Sequence, residues 1–129
     1  MHKFSKHERL RSKKSIAELF DKGKTIHVGG IKCMYLLKPG TASAFPAKAL
    51  FVVPQRLFRK AVERNFFKRR IKEAYRLHKG ALIKHLVERQ ELLLMAFIYN
   101  TKERHNFTHI ESKILLILQR LEKGNEKGT

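Results

Sequence analysis

Acid is what this chain has least of. Its 129 residues include eleven Asp and Glu, and Asp21 is the only aspartate. Two-metal nucleases hold their ions with clustered carboxylates. Here ten glutamates are scattered, and no D-x-D or H-E-x-x-H spacing occurs. A metal site able to cut phosphodiesters is therefore not expected on this chain. Cysteine is almost missing too. Cys33 stands alone, so no internal disulfide can form, and no Cys or His lies at ligand spacing from it to hold zinc. A lone cysteine fits a cytoplasmic setting, which is the expectation. Long apolar runs are also missing. The longest, Leu92–Tyr99, has eight residues, where a membrane span needs about 20. It also lacks the two-faced pattern of a helix lying in a bilayer surface. The charged start Met1–Arg11 leads into no apolar stretch, so no secretory signal is expected. No internal repeat is visible.

What the chain does have is positive charge. Twenty-nine Lys and Arg give a formal net charge of +18. Such a chain repels itself and is suited to a polyanion. Nucleic acid is the first candidate, ahead of a membrane. The charge peaks twice, over Met1–Lys24 and over Arg56–Arg76.

Periodicity outlines the elements. Ser12–Lys22 reads as a helix, with Ile16, Leu19 and Phe20 on one face, Ser12 or Ser15 as cap and Gly23 as stop. Thr25–Leu37 reads as extended, with a break or bulge at Gly29-Gly30. Within it Ile31, Cys33 and Tyr35 share one face, and Lys32, Met34 and Leu36 the other. Lys38–Pro46 is a loop. Lys48–Val53 is a strand stopped by Pro54. Leu57–His78 is the main helix, followed by a shorter one over Ala81–Gln90. Leu92–Tyr99 reads as a buried strand, and Phe107–Leu121 as a last helix. The expected fold is a single α+β domain over residues 1–129. It is a two-layer sandwich in the order α-β-β-β-α-β-α, with a four-stranded sheet and a flexible tail from about residue 122.

On a helical wheel Arg64, Lys68, Lys72 and Arg76 follow one another at i+4, with Asn65 and Arg69 on the adjoining row. Phe67, Ile71 and Ala74 occupy a different arc, and Tyr75 lies at the border, able to turn inward or toward a ligand. The like charges repel by a few tenths of a kcal/mol per pair. A merely solvated face usually mixes signs, so this stripe points to phosphate contact. Arginines can hold phosphate bidentately or stack on bases, whereas lysines act as point charges. The Asn65 amide can meet an RNA edge or a 2′-hydroxyl.

Ala61-Val62-Glu63-Arg64-Asn65-Phe66-Phe67-Lys68-Arg69-Arg70-Ile71-Lys72-Glu73-Ala74-Tyr75-Arg76 closely resembles the signature helix of the protein subunit of bacterial ribonuclease P, A-V-x-R-N-x-x-K-R-x-x-[RK]-E-x-[FY]-R. Every fixed position matches. Phe4-Ser5-Lys6, Arg9-Leu10 and Phe20-x-x-Gly23 resemble the family's first helix region, and the likeness runs from Phe4 to about Leu121.

The resemblance implies a ribosomal protein S5 domain 2-like fold with a left-handed βαβ crossover, which the general preference for right-handed connections would not suggest. It also implies a partner, a large catalytic RNA, and a substrate, precursor tRNA, whose 5′ leader is removed. The catalysis would lie in the RNA, with Mg2+ held mainly by RNA and substrate phosphates, and no catalytic or metal-binding residue on the protein. The RNA-binding set would be Arg56, Arg59, Lys60, Arg64, Asn65, Lys68, Arg69, Lys72 and Arg76. The cleft for the leader would involve Lys13, Ile16 and Phe20 with Met34 or Tyr35, depending on strand register. Ile16 and Met34 depart from the aromatic residues that line this cleft in the family and cannot stack a base as a ring does. A ribosomal or RNA-chaperone protein is the alternative. DNA is not expected, because no helix-turn-helix pairing precedes the long helix. His105 and His109, four apart, are not expected to form a catalytic or metal pair.

Overall fold

The computed structural model describes residues 4–40 and 45–123. A short 3-10 helix, Lys6–Glu8, leads into α1 (Lys13–Lys22), β1 (Lys24–Val28), β2 (Ile31–Pro39), β3 (Ala47–Val52), α2 (Ala61–His78), α3 (Gly80–Arg89), β4 (Glu91–Tyr99) and α4 (Phe107–Glu122). The four strands form one sheet in the order β1-β2-β4-β3. Most of the expected tail lies outside the described residues.

Local chemistry explains most boundaries. The Ser12 hydroxyl accepts a hydrogen bond from the Ser15 N–H, so Ser12 is the cap of α1. Gly23 ends that helix in extended backbone, φ −71°. Space, rather than a left-handed turn, demands glycine there, since a Cβ would lie 2.4 Å from the Leu19 carbonyl oxygen. Gly29 and Gly30 form the two-residue turn between β1 and β2, with Val28 opposite Ile31. Both have positive φ, +53° and +89°, as hairpin turns of this length require.

The long helix starts at Ala61, not at Leu57. The Leu57 and Phe58 N–H groups both donate to the Pro54 carbonyl, closing a turn. Phe58 is buried, stacked on Phe67 at 4.8 Å between ring centroids. A straight helix from Leu57 would not permit that turn.

β3 and β4 are parallel neighbours, so the chain between them must cross over, and α2 and α3 make that crossing. β4 is central and covered on both faces, and Leu93–Tyr99 is buried throughout. This is why it reads as a continuous apolar run rather than an alternation. On one face Cys33, Tyr35, Phe51, Met95 and Phe97 meet Phe67, Ile71 and Tyr75 of α2 and Ile110, Ile114 and Ile117 of α4. Burial pushes the Cys33 thiol pKa far up, which leaves it inert. On the other face α1 brings Leu19 and Ile16 onto Met34, Leu36, Leu94 and Ala96.

The N-terminal segment closes the open edge of β3. Arg9 forms a parallel bridge with Ala49, and the Leu10 N–H donates to the Ala49 carbonyl at 3.0 Å. Its anchor is an ion pair between Glu8 and Lys79, both about 92% buried at the side chain. Glu8 also accepts from the Ser5 N–H at 2.9 Å. Removing one member of a buried pair leaves the other charge desolvated, at a cost of about 3–5 kcal/mol. Glu8→Ala is therefore expected to lower stability by about 3 kcal/mol in urea denaturation, and the Glu8→Leu/Lys79→Met double variant by much less. Equal losses would show that packing, not the unpaired charge, sets the cost.

Candidate nucleic-acid interface

The face of α2 that adjoins its core contacts carries the cationic stripe. Asn65, Lys68 and Arg69 are exposed, whereas Arg64, Lys72 and Arg76 are half-buried. Tyr75 turns inward and is fully buried. At the N-terminal approach to α2, Arg56, Arg59 and Lys60 are exposed, and Arg56 donates to the Asn100 side-chain oxygen at 3.3 Å.

Two arginines of the stripe already have local duties. Arg64 Nη1 donates to the carbonyls of Phe58 (3.0 Å) and Arg59 (2.7 Å), which fixes the turn before the helix. Arg76 donates through Nε and Nη2 to the two carboxylate oxygens of Glu73, at 2.9 and 2.7 Å. That bond holds the Glu73 pKa below and the Arg76 pKa above its ordinary value. The C-terminal end of the stripe is thus partly neutralised. The strongest net charge lies at Lys68, Arg69 and Lys72.

That centre has neighbours the motif did not reveal. The N-terminal segment along the β3 edge brings Arg9 and Arg11 to the same concavity as Lys68 and Lys72, with Phe4 and Leu50 in its walls and a volume of about 240 Å³. A second hollow of about 270 Å³, on the other side of that segment, is lined by Lys6, His7, Arg9, Arg11 and Lys48. Among the described residues no acid lines either one. Burial first, then Arg9 and Lys68, hold the Lys72 pKa below that of an ordinary lysine. The two charge peaks of the sequence therefore meet in space. The only sequence signal for this was the first peak itself.

The expected cleft residues divide. Met34 and Ile16 both pack, partly buried, against the apolar cluster beneath α1. Phe20 remains 45% exposed on α1, outside both core clusters, and Lys13 is exposed at the start of that helix. Tyr35 must be corrected. It lies on the opposite face of the sheet, 7% exposed in the main core, because neighbouring strand residues point to opposite sides. Of the two registers, Met34 alone faces α1. His105 and His109 stack face to face at 3.7 Å, and His109 Nε2 lies 3.3 Å from the Gly29 carbonyl. The His109 nitrogen thus joins the start of α4 to the hairpin turn, while the two rings lie nearly parallel.

Known proteins decide what this surface belongs to. The family model described as Ribonuclease P matches residues 4–122. This chain belongs to the ribonuclease P protein family. It is 36% identical over 107 residues to a ribonuclease P protein component of Porphyromonas gingivalis, covering 83% of this chain and 77% of that one. A ribonuclease P protein component of Chlorobaculum tepidum is 31% identical over 101 residues, covering 74% and 66% of the two chains. Among solved structures, the RNase P protein from Thermotoga maritima superposes with a TM-score of 0.67 at 24% identity, over 88% of this chain and 96% of that one. A Staphylococcus aureus RNase P protein mutant gives 0.66 at 17% identity, over 91% and 90%. These superpositions establish the fold. Among the described residues no helix is long and apolar enough to cross a membrane.

The position of Lys72 allows a test that separates binding from stability. Lys72→Met removes a half-buried charge that its cationic neighbours disfavour. The variant is expected to melt at a higher temperature than the parent, yet to bind ribonuclease P RNA about tenfold more weakly, the loss of roughly one charged contact. Thermal melts and filter binding check the pair of outcomes. A fall in both would make Lys72 an ordinary packing residue.

Proposed function

We propose that this chain binds the catalytic RNA of ribonuclease P through Lys68, Arg69 and Lys72 with Arg9 and Arg11, and assists removal of the 5′ leader from precursor tRNA. The observation that carries this reading is the concavity where the signature helix meets the N-terminal segment, which no acid lines among the described residues. Phosphate oxygens are its natural occupants. The guanidinium groups of Arg9, Arg11 and Arg69 offer paired donors, and the lysines add point charge. Arg56, Arg59 and Lys60 extend the same charge toward the start of α2. Arg64 serves from a fixed position, held by the carbonyls it bonds.

The chemistry of cleavage belongs to the RNA in this proposal. Mg2+ takes oxygen ligands from carboxylates and phosphates. The concavities offer ammonium and guanidinium groups instead, so these residues do not fit a resident magnesium. The metal sits on RNA and substrate phosphates, and the protein neutralises charge around them. The leader is held beside α1, with Phe20 as its exposed ring and Lys13 for its phosphates. Such a complex works in the cytoplasm, with no membrane and no DNA partner.

Three experiments test this. Purified protein is expected to cleave no precursor tRNA, and to lower the Mg2+ concentration at which its cognate RNA cleaves. Activity that follows RNA-free protein through repurification would overturn the assignment of catalysis. Phe20→Ala is expected to weaken binding of precursor tRNA with a leader by about tenfold, the value of one lost stack, and to leave mature tRNA unchanged. Equal losses for both would place Phe20 outside the leader path. For the ribosomal or chaperone alternative, sequencing of RNA co-purified from cells discriminates. One dominant structured RNA supports the proposal, and a spread of ribosomal RNA opposes it.

A further inference from the structure

Beside the cationic stripe, α2 carries a row that charge does not explain. Val62, Phe66 and Arg70 follow at i+4, so they share one strip of the helix. Val62 is 77% exposed and Phe66 43%. Facing them, the segment between β4 and α4 contributes Arg104, His105 and Asn106, and the two sides enclose a groove of about 390 Å³.

The groove is lined by apolar Val62, Phe66 and Phe67, by Arg70, and by the ion pair of Arg104 with Glu63. The Arg70 guanidinium carbon lies 4.3 Å from the centroid of the Phe66 ring. Phe67 meets Phe66 edge-on at 5.2 Å, which fixes the ring from below. Arg104 is held in place by Glu63 at 2.6 Å and lies 5.2 Å from the Phe58 ring. The Arg70 Nε is buried and has no hydrogen-bond partner among the described residues. Asn106 caps α4 with its side-chain oxygen, accepting from the His109 N–H at 2.9 Å, and its amide nitrogen takes no part in that bond. A stacking surface and polar side chains thus line one hollow.

We propose that this groove receives one unpaired nucleobase of the RNA bound by the stripe, stacked on the Phe66–Arg70 pair. The inference rests on the RNA-binding reading above and adds a site to it. Asn65 and Arg69 border the row, so an RNA strand on the stripe passes the mouth of the groove. The volume lies at the small end of ligand pockets, about 300–1,000 Å³, which suits a single base better than a protein segment. A second copy of this chain would bring +18 against +18. Stacking accepts any base, because every base has a π face.

The chain contains no tryptophan, so Phe66→Trp creates a single fluorescent reporter in the groove. Titration with the cognate ribonuclease P RNA is expected to quench its emission to a plateau at one RNA per protein. Val87→Trp, exposed on α3, is expected to show no such change. Phe66→Ala is expected to weaken RNA binding about tenfold with an unchanged salt slope, since stacking releases no counterions. Lys68→Ala is expected to reduce that slope by about 0.7–0.9. RNA binding by Phe66→Trp without quenching would overturn the base site and leave the proposed function standing. Failure of the parent protein to bind RNA would overturn both. Emission that shifts with protein concentration alone would assign the groove to a second copy and overturn the proposal.

Discussion

The cationic surface depends on the burial of one side of α2. Phe67, Ile71, Ala74 and Tyr75 are each at most 2% exposed. Burying a large apolar side chain contributes about 1.5–3 kcal/mol. The like-charge pairs Arg64/Lys68, Lys68/Lys72 and Lys72/Arg76 oppose the helix by only a few tenths each. Core contact therefore wins by several fold, and a helix that charge would disfavour alone is held rigid. Glu73 eases the strain at one end by pairing with Arg76. Nothing comparable is seen at Lys68 and Lys72, where the charge remains concentrated.

The same burial sets the geometry of everything beside the helix. Tyr75 and Phe51 both meet Phe4, at 5.8 and 5.7 Å for the contacts that Tyr75 makes with Phe4 and Phe51 and 5.4 Å between Phe4 and Phe51. That aromatic contact and the Glu8–Lys79 pair hold the N-terminal segment against the edge of β3. Arg9 and Arg11 are thereby set opposite Lys68 and Lys72. The segment also shields part of the edge strand from pairing with another chain. One short stretch thus serves both the sheet and the cationic surface.

Much of this was legible in the sequence, for identifiable reasons. An interruption was written in Gly29-Gly30, though whether it was a break or a bulge stayed open until the turn joined β1 to β2, and the central strand was written in the unbroken run Leu92–Tyr99. The signature helix showed both its faces through spacing alone. The start of α2 was not legible, because helical periodicity continues through Leu57 and Phe58 while Pro54 turns the chain. Alternation in β2 separated Met34 from Tyr35 but could not say which face α1 would cover. That choice depends on contacts between α1 and the sheet, distant in sequence. The meeting of Arg9 and Arg11 with Lys68 and Lys72 was hidden for the same reason. Nor does a motif reveal that Arg64 spends two of its hydrogen bonds on its own chain.

Those local bonds bear on how the surface binds. A flexible cation loses side-chain entropy when it grips phosphate, roughly 0.5–1.5 kcal/mol for each immobilised side chain. Arg64 is already fixed by two carbonyls, and Arg76 by both oxygens of Glu73. For these two much of the ordering is complete before any phosphate is bound. Lys72 contributes in the opposite way. Its charge is disfavoured in the free protein by burial and by Arg9 and Lys68. A polyanion relieves that repulsion only when bound, so the free energy appears in binding rather than in folding. In the proposed complex, pre-positioned arginines and a disfavoured lysine charge would both favour the bound state over the free chain. Ligand binding to the native state then stabilises the fold in turn, which suits a chain with so large an excess of one charge.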